Sequence, residues 1–180
     1  MDQDLSLYQA FLKGNAAALE QLVQRQSDNL IRFAYLYVKD SAAAEDIAED
    51  SFVALLLKRP VFHENAQFKT FLYRIARNKC IDYLRKQKNK LPLQDVEAVL
   101  HTPCFETELA EKERNRLLYL ALAELPEQYR DVLHLSYFES FSIPQMCHVL
   151  RKSTKQIYNL LSRAKTSLKK LLIQKGVDLP

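Results

Sequence analysis

Glycine occurs only twice in this chain, at Gly14 and Gly176. Tight hairpin turns of types I′ and II′ need positive φ, which glycine adopts without strain. A chain of 180 residues with two glycines has little means of building consecutive hairpins, so an all-α fold is expected. Hydrophobic residues make up 48% and charged residues 27%, the balance of a globular protein. The length suits one mid-sized domain or two small ones.

Several classes are disfavoured. No apolar run approaches the roughly 18 residues of a membrane span. The start MDQDLSLYQAFL is acidic, unlike a secretory signal, so a cytoplasmic protein is expected. Cys80, Cys104 and Cys147 are scattered, with no CxxC pair, which reads as three reduced thiols.

The net charge of +4 conceals an alternation. Residues 1–50 hold 4 basic and 9 acidic side chains, and residues 51–94 hold 10 and 2. Residues 95–131 then hold 4 and 9, and residues 132–180 hold 8 and 2. Two acidic segments thus alternate with two basic ones. Basic patches suit a polyanion, and acidic ones suit a basic protein surface.

Apolar residues recur at helical spacing through residues 5–37, which read as two helices. Asp40 or Ser41 is placed to cap a third helix, SAAAEDIAEDSFVALLLK, which Pro60 ends. After a loop, PVFHENAQ, a helix from about Phe68 to Lys88 sets Phe68, Phe71, Leu72, Ile75, Cys80 and Leu84 near one side, with basic residues on its other faces. Between Lys90 and Glu106 the pattern lapses, with Pro92 and Pro103 inside it, as expected of a linker. Residues 107–123 return to helix, and Pro126 is placed in the first turn of the next.

Two capping-box patterns follow, Ser142-x-x-Gln145 and Ser153-x-x-Gln156. They predict helices over 143–150 and from 154 to about 170, joined by a three-residue turn: a helix-turn-helix. Ile157, Leu161, Ala164 and Leu168 form the stripe that faces the core. Lys155, Gln156, Tyr158, Asn159, Ser162 and Arg163 then remain on the surface that enters a major groove in such motifs. Gln156 and Asn159 are amides suited to adenine, and Lys155 can reach guanine. Arg151, Lys152, Arg163 and Lys165 are candidates for phosphate contacts. A plain helical hairpin with a basic exposed face is the alternative.

The segments DSAAAEDIAEDSFVALLLKR, FKTFLYRIARNKCIDYLRKQKN and ALAELPEQYRDVLHLSYFESFSIPQMCHVLRKSTKQIYNLLSRAKTSLKKLL resemble, in order, regions 2.1–2.2, 2.3–2.4 and 4 of extracytoplasmic-function (ECF) sigma factors. The resemblance implies two small helical domains: a region 2 bundle over residues 1–90 and a region 4 helix-turn-helix domain over 107–180, joined by a linker, 91–106. It implies that Asp46, Glu49, Asp50 and Phe52 dock on core RNA polymerase, an acidic and aromatic face against a basic coiled coil. It implies that Asn65, Gln67, Tyr73, Arg74, Arg77, Asn78, Asp82 and Arg85 meet the −10 element of promoter DNA. Of these, Asn65 and Gln67 lie in the loop that takes a flipped base. It implies that Arg151, Lys152, Thr154, Lys155, Gln156, Tyr158, Asn159 and Arg163 meet the −35 element. An anti-sigma factor is an implied further partner.

The chain departs from the family in places. Phe71 and Leu56 stand where tryptophan is usual, Glu49 where glutamine is, and Arg151 where the turn usually has glycine. Tyr158-Asn159-Leu160 stands where the recognition helix usually reads K-S-R. A position that keeps positive φ makes arginine costly by about 1 kcal/mol.

No catalytic, metal or cofactor site is expected: the four histidines form no ligand spacing, and two glycines cannot make a phosphate loop. The leading expectation is a sigma factor that recognises −10 and −35 elements. A degenerate sigma-like protein, which binds polymerase or an anti-sigma factor without directing promoters, is the alternative. An ordinary helix-turn-helix repressor would leave the −10 reader unexplained.

Overall fold

The computed structural model describes residues 3–62, 68–88 and 109–176. All regular structure among them is helical. The chain divides into two compact units, Met1–Leu100 and His101–Pro180.

The first unit packs α1 (Gln3–Leu12), α2 (Ala16–Val38), α3 (Ser41–Lys58) and α4 (Phe68–Lys88) into a bundle. Gly14, at φ +99°, separates α1 from α2, and Asn15 caps α2 by accepting from the Ala18 N–H at 3.3 Å. Asp40 caps α3 by accepting from the Ala43 N–H at 3.0 Å, as the sequence suggested. Tyr8, Leu22, Leu30, Phe33, Leu55, Phe68 and Leu72 are fully buried and form the core. A polar tie joins α1 to α2: the buried Asp4 carboxylate accepts from Gln26 Nε2 at 2.6 Å and Arg25 Nε at 3.0 Å.

Aromatic rings fill one part of this core. Phe62 lies 5.4 Å from Tyr8, 6.0 Å from Phe68 and 5.6 Å from Phe71. Phe62 and Phe68 thus hold together the two flanks of segment 63–67. Phe33 lies 5.1 Å from Tyr73.

The second unit contains α5 (Leu109–Glu124), α6 (Glu127–Leu133), α7 (Ile143–Leu150) and α8 (Thr154–Gln174). Pro126 has extended backbone at the N-cap of α6, one position before the first turn where the sequence placed it. The helix then widens into a π turn, His134–Phe138, closed by the Glu139 N–H donating to the His134 carbonyl at 3.3 Å. Nothing in the residue pattern announces this turn. Within it His134 stacks on Phe138 at 5.1 Å, and His134 Nε2 lies 3.3 Å from Glu139 Oε1, with both side chains buried.

Both expected capping boxes form. Gln145 Oε1 accepts from the Ser142 N–H at 2.6 Å, and Gln156 Oε1 from the Ser153 N–H at 2.8 Å. Between them Arg151 ends α7 in the left-handed region at φ 53°, ψ 47°. Lys39 and Arg59 end α2 and α3 in the same way, at φ 55° and 40°. Residues with side chains therefore occupy the helix ends where glycine is most at ease.

Candidate polymerase and nucleic-acid interfaces

The inner stripe of α3 is Ala44, Ile47, Ala48, Ser51, Phe52 and Leu55, all buried. Phe52 is 6% exposed, so the expectation that it docks a partner is corrected. It lies four residues after Ala48 and three before Leu55, a spacing that directs its ring inward. Asp46, Glu49 and Asp50 are exposed. Val53 and Leu57, 51% and 81% exposed, follow on their side of the helix. From Asp46 through Asp50 and Val53 to Leu57 the steps are i+4, i+7 and i+11, so the face is acidic in its first half and apolar in its second. Sequence reading missed that continuation, although the spacing that carries it was there. Asp50 also accepts from Lys79 Nζ of α4 at 2.9 Å, in an exposed pair.

On α4, Asn78, Asp82 and Arg85 are exposed and Arg74 and Arg77 partly so. Arg74, Asn78, Asp82 and Arg85 fall at i, i+4, i+8 and i+11, which sets them along one ridge. Arg74 lies over the Phe71 ring at 5.1 Å, and Arg85 pairs with Asp82 at 3.2 Å. Tyr73 is a second correction: it is fully buried against Phe33, while Lys69 covers its ring at 5.6 Å. A ring enclosed in this way cannot stack on a base. Its place one residue after Leu72 and three before Ala76 puts it on the core side. Asn65 and Gln67 lie outside the described residues.

On α8, Ile157 and Ala164 are fully buried and Leu161 and Leu168 partly so, as the stripe required. Thr154, Lys155, Tyr158, Asn159, Ser162 and Arg163 are exposed, with Arg151 exposed and Lys152 half-buried in the turn before them. The two amides differ. Gln156 has its side-chain carbonyl oxygen engaged in the cap, while its backbone N–H donates to Ser153 Oγ at 3.3 Å. Lys165 does not join the outer face: its Nζ lies 5.5 Å from the Tyr137 ring.

Lys165 instead rims an open apolar cleft of about 330 Å³ with Lys169, Leu118, Leu122, Leu133, Tyr137, Phe138, Leu168 and Leu172. Sequence reading missed this cleft because its walls come from three separate helices and the π turn. Among the described residues, no group of three His, Cys, Asp or Glu side chains is placed to hold a metal ion, and no helix is long and apolar enough to cross a membrane.

Comparison with known proteins bears on the same two units. The family profile for Sigma-70 region 2 matches residues 14–90, and that for Sigma-70, region 4 matches residues 115–168. The ECF RNA polymerase sigma factor SigM of Bacillus subtilis (strain 168) is 26% identical over 166 residues, which cover 89% of this chain and 98% of that protein. SigW of the same organism, another ECF RNA polymerase sigma factor, is 26% identical over 171 residues, covering 89% and 91%. The structure of CnrH in complex with the cytosolic domain of CnrY is similar at a TM-score of 0.70 and 25% identity, over 96% of this chain and 99% of that one. The sigma factor RpoE in complex with the anti-sigma factor NepR from Bartonella quintana shares the fold at a TM-score of 0.68 and 21% identity, over 85% and 95%. With regions 2 and 4 matched in order and the likeness running almost end to end, this chain belongs to the sigma-70 family of RNA polymerase sigma factors, in its ECF group.

Proposed function

We propose that this sigma factor divides promoter-directed initiation among three surfaces. The exposed side of α3, from Asp46, Glu49 and Asp50 to Val53 and Leu57, docks on core polymerase. Acidic groups steer and orient the encounter, and the apolar half supplies buried area. The ridge of α4, with Arg74, Arg77, Asn78, Asp82 and Arg85, binds the −10 element, and Asn65 and Gln67 hydrogen-bond a flipped base. The helix-turn-helix binds the −35 element as duplex. There Arg151, Lys152, Thr154 and Arg163 position the backbone, and Lys155, Tyr158 and Asn159 face the bases.

Residues 1–90 and 107–180 act as separate modules joined by 91–106. The chain works in the cytoplasm, needs no cofactor and performs no chemistry of its own, because phosphodiester formation belongs to the polymerase. An anti-sigma protein holds the free factor, a reading supported by the similarity to CnrH, which is seen in complex with the cytosolic domain of another protein.

The observation that carries this reading is the succession on one chain of an acidic–apolar helix face, a basic ridge beside an aromatic cluster, and a capped helix-turn-helix with a basic, polar outer face. The test is transcription. Core RNA polymerase is incubated with the protein and genomic DNA, and the run-off transcripts are sequenced. Start sites that share two motifs at fixed spacing are expected. Core binding without new transcripts would instead make the chain a sigma-like protein that directs no promoter.

A further inference from the structure

The outer face of α8 is built differently from a helix that reads DNA by charge alone. Lys155, Tyr158, Asn159 and Ser162 fall at i, i+3, i+4 and i+7, so they share one face, and all four are exposed. Of the two amides near the N-terminus of α8, Gln156 has its carbonyl oxygen engaged by the Ser153 N–H. Bidentate pairing with adenine needs an amide's donor and acceptor together. Asn159, exposed and outside the cap, has both available.

Tyr158 stands beside it with 59% of its surface exposed, among the few large apolar side chains so placed in the second unit. Successive residues of a helix point about 100° apart. Tyr158 and Asn159 therefore lie on opposite sides of the Lys155–Ser162 row, so a duplex laid along that row would meet them at neighbouring base pairs. In the major groove the one apolar feature that distinguishes a base is the C5-methyl group of thymine.

We infer that Tyr158 is a specificity-determining residue of the −35 reader that packs its ring on a thymine methyl, beside the base pair addressed by Asn159, while Gln156 serves as a cap and not as a reader. This rests on the proposal that α8 reads duplex DNA and adds the chemical group that it reads. The ring makes the contact, and the phenol hydroxyl is dispensable.

The test removes one methyl at a time. The full chain is assembled with core polymerase on a promoter found by start-site mapping, and each thymine of the −35 element is replaced in turn by deoxyuridine. Burial of one methyl group predicts a loss of about fourfold in affinity at one such position. Tyr158→Ala should lose about the same factor on thymine DNA and show no further loss with deoxyuridine there. Tyr158→Phe should keep the wild-type sensitivity.

A wild type indifferent to every deoxyuridine, or a Tyr158→Ala variant that remains sensitive, overturns the inference and leaves promoter reading intact. Loss of affinity in Tyr158→Phe also overturns it, because the hydroxyl would then be the contact. Mapping that yields no shared −35 motif overturns the promoter reading itself, and this inference with it.

Discussion

Replacing Arg151 by glycine should stabilise the second unit. Arg151 closes α7 at φ 53°, ψ 47°, where its Cβ is crowded by the neighbouring carbonyl. The left-handed conformation costs an L-residue about 1–2 kcal/mol. Glycine adopts it freely but loses about 0.5–1 kcal/mol more in chain entropy on folding. The net gain is about 0.5–1 kcal/mol.

The cap itself survives the change, because it is made by backbone: the N–H groups of residues 151 and 152 both donate to the Cys147 carbonyl. One further term is the cation, which interacts favourably with the C-terminus of α7 by about 0.3–1 kcal/mol at low ionic strength. Measuring at about 0.5 M salt, where the Debye length is about 4 Å, suppresses that term. Native-state hydrogen exchange at the buried Met146 and Val149 reports opening of this unit directly. Their protection should rise about two- to fivefold. Arg151→Ala loses the same charge but keeps a Cβ, and should show no such gain. If alanine matches glycine, or glycine lowers protection, the strain argument is wrong.

Three other changes test the remaining assignments. The Tyr8 hydroxyl is buried and meets no hydrogen-bond partner, so Tyr8→Phe should stabilise the first unit by about 1 kcal/mol in a denaturant titration. Burial also raises the Tyr8 pKa above 10.0, with Arg59 opposing, so the folded state holds the proton longer than the unfolded chain. That contribution is intact below about pH 10 and is lost as pH rises above it, so the variant should unfold at higher alkaline pH than the wild type. Phe52→Ala should destabilise by about 3–5 kcal/mol, read by thermal unfolding, because it empties a core site and not a docking face. Asp50→Lys should change stability by less than about 1 kcal/mol, since its pair with Lys79 is exposed, yet weaken core-polymerase binding in a pull-down titration; unaltered affinity would remove Asp50 from the docking face.

The helices, and the starts of α3, α7 and α8, were legible because they are written in local chemistry: Asp40 before an apolar period, Ser153 three residues before Gln156. The features that escaped have no residue pattern of their own. The π turn needs His134, Phe138 and Glu139 to meet inside a core, and the apolar cleft needs walls from several elements. Phe52 and Tyr73 were misplaced for a different reason. The family resemblance attracted them to the surface, while their own helical spacing already directed them inward. The continuation of the α3 face to Val53 and Leu57 was missed as well, although both recur at helical spacing from Asp46 and Asp50.

The same scarcity of glycine that fixed the fold class also shapes the helix ends. Three helices stop in the left-handed region at a basic residue, Lys39, Arg59 and Arg151, while Gly14, Ser140 and Gly176 take positive φ just beyond others. Each basic residue donates its N–H to the carbonyl four residues earlier, so the geometry of the stop is the one glycine would give. The side chain adds strain but also brings positive charge to carbonyls that lack intrahelical partners. The charge offsets part of the strain, about 0.3–1 kcal/mol against about 1–2 kcal/mol. At Arg151 a further gain is available, because that cap lies in the turn of the DNA-binding motif. A cation there that neutralises one phosphate would steepen the salt dependence of binding by about 0.9 in log–log slope. Arg151→Gly would then show a more stable second unit together with a shallower salt dependence of −35 binding. That pair of results would set stability against recognition at a single residue.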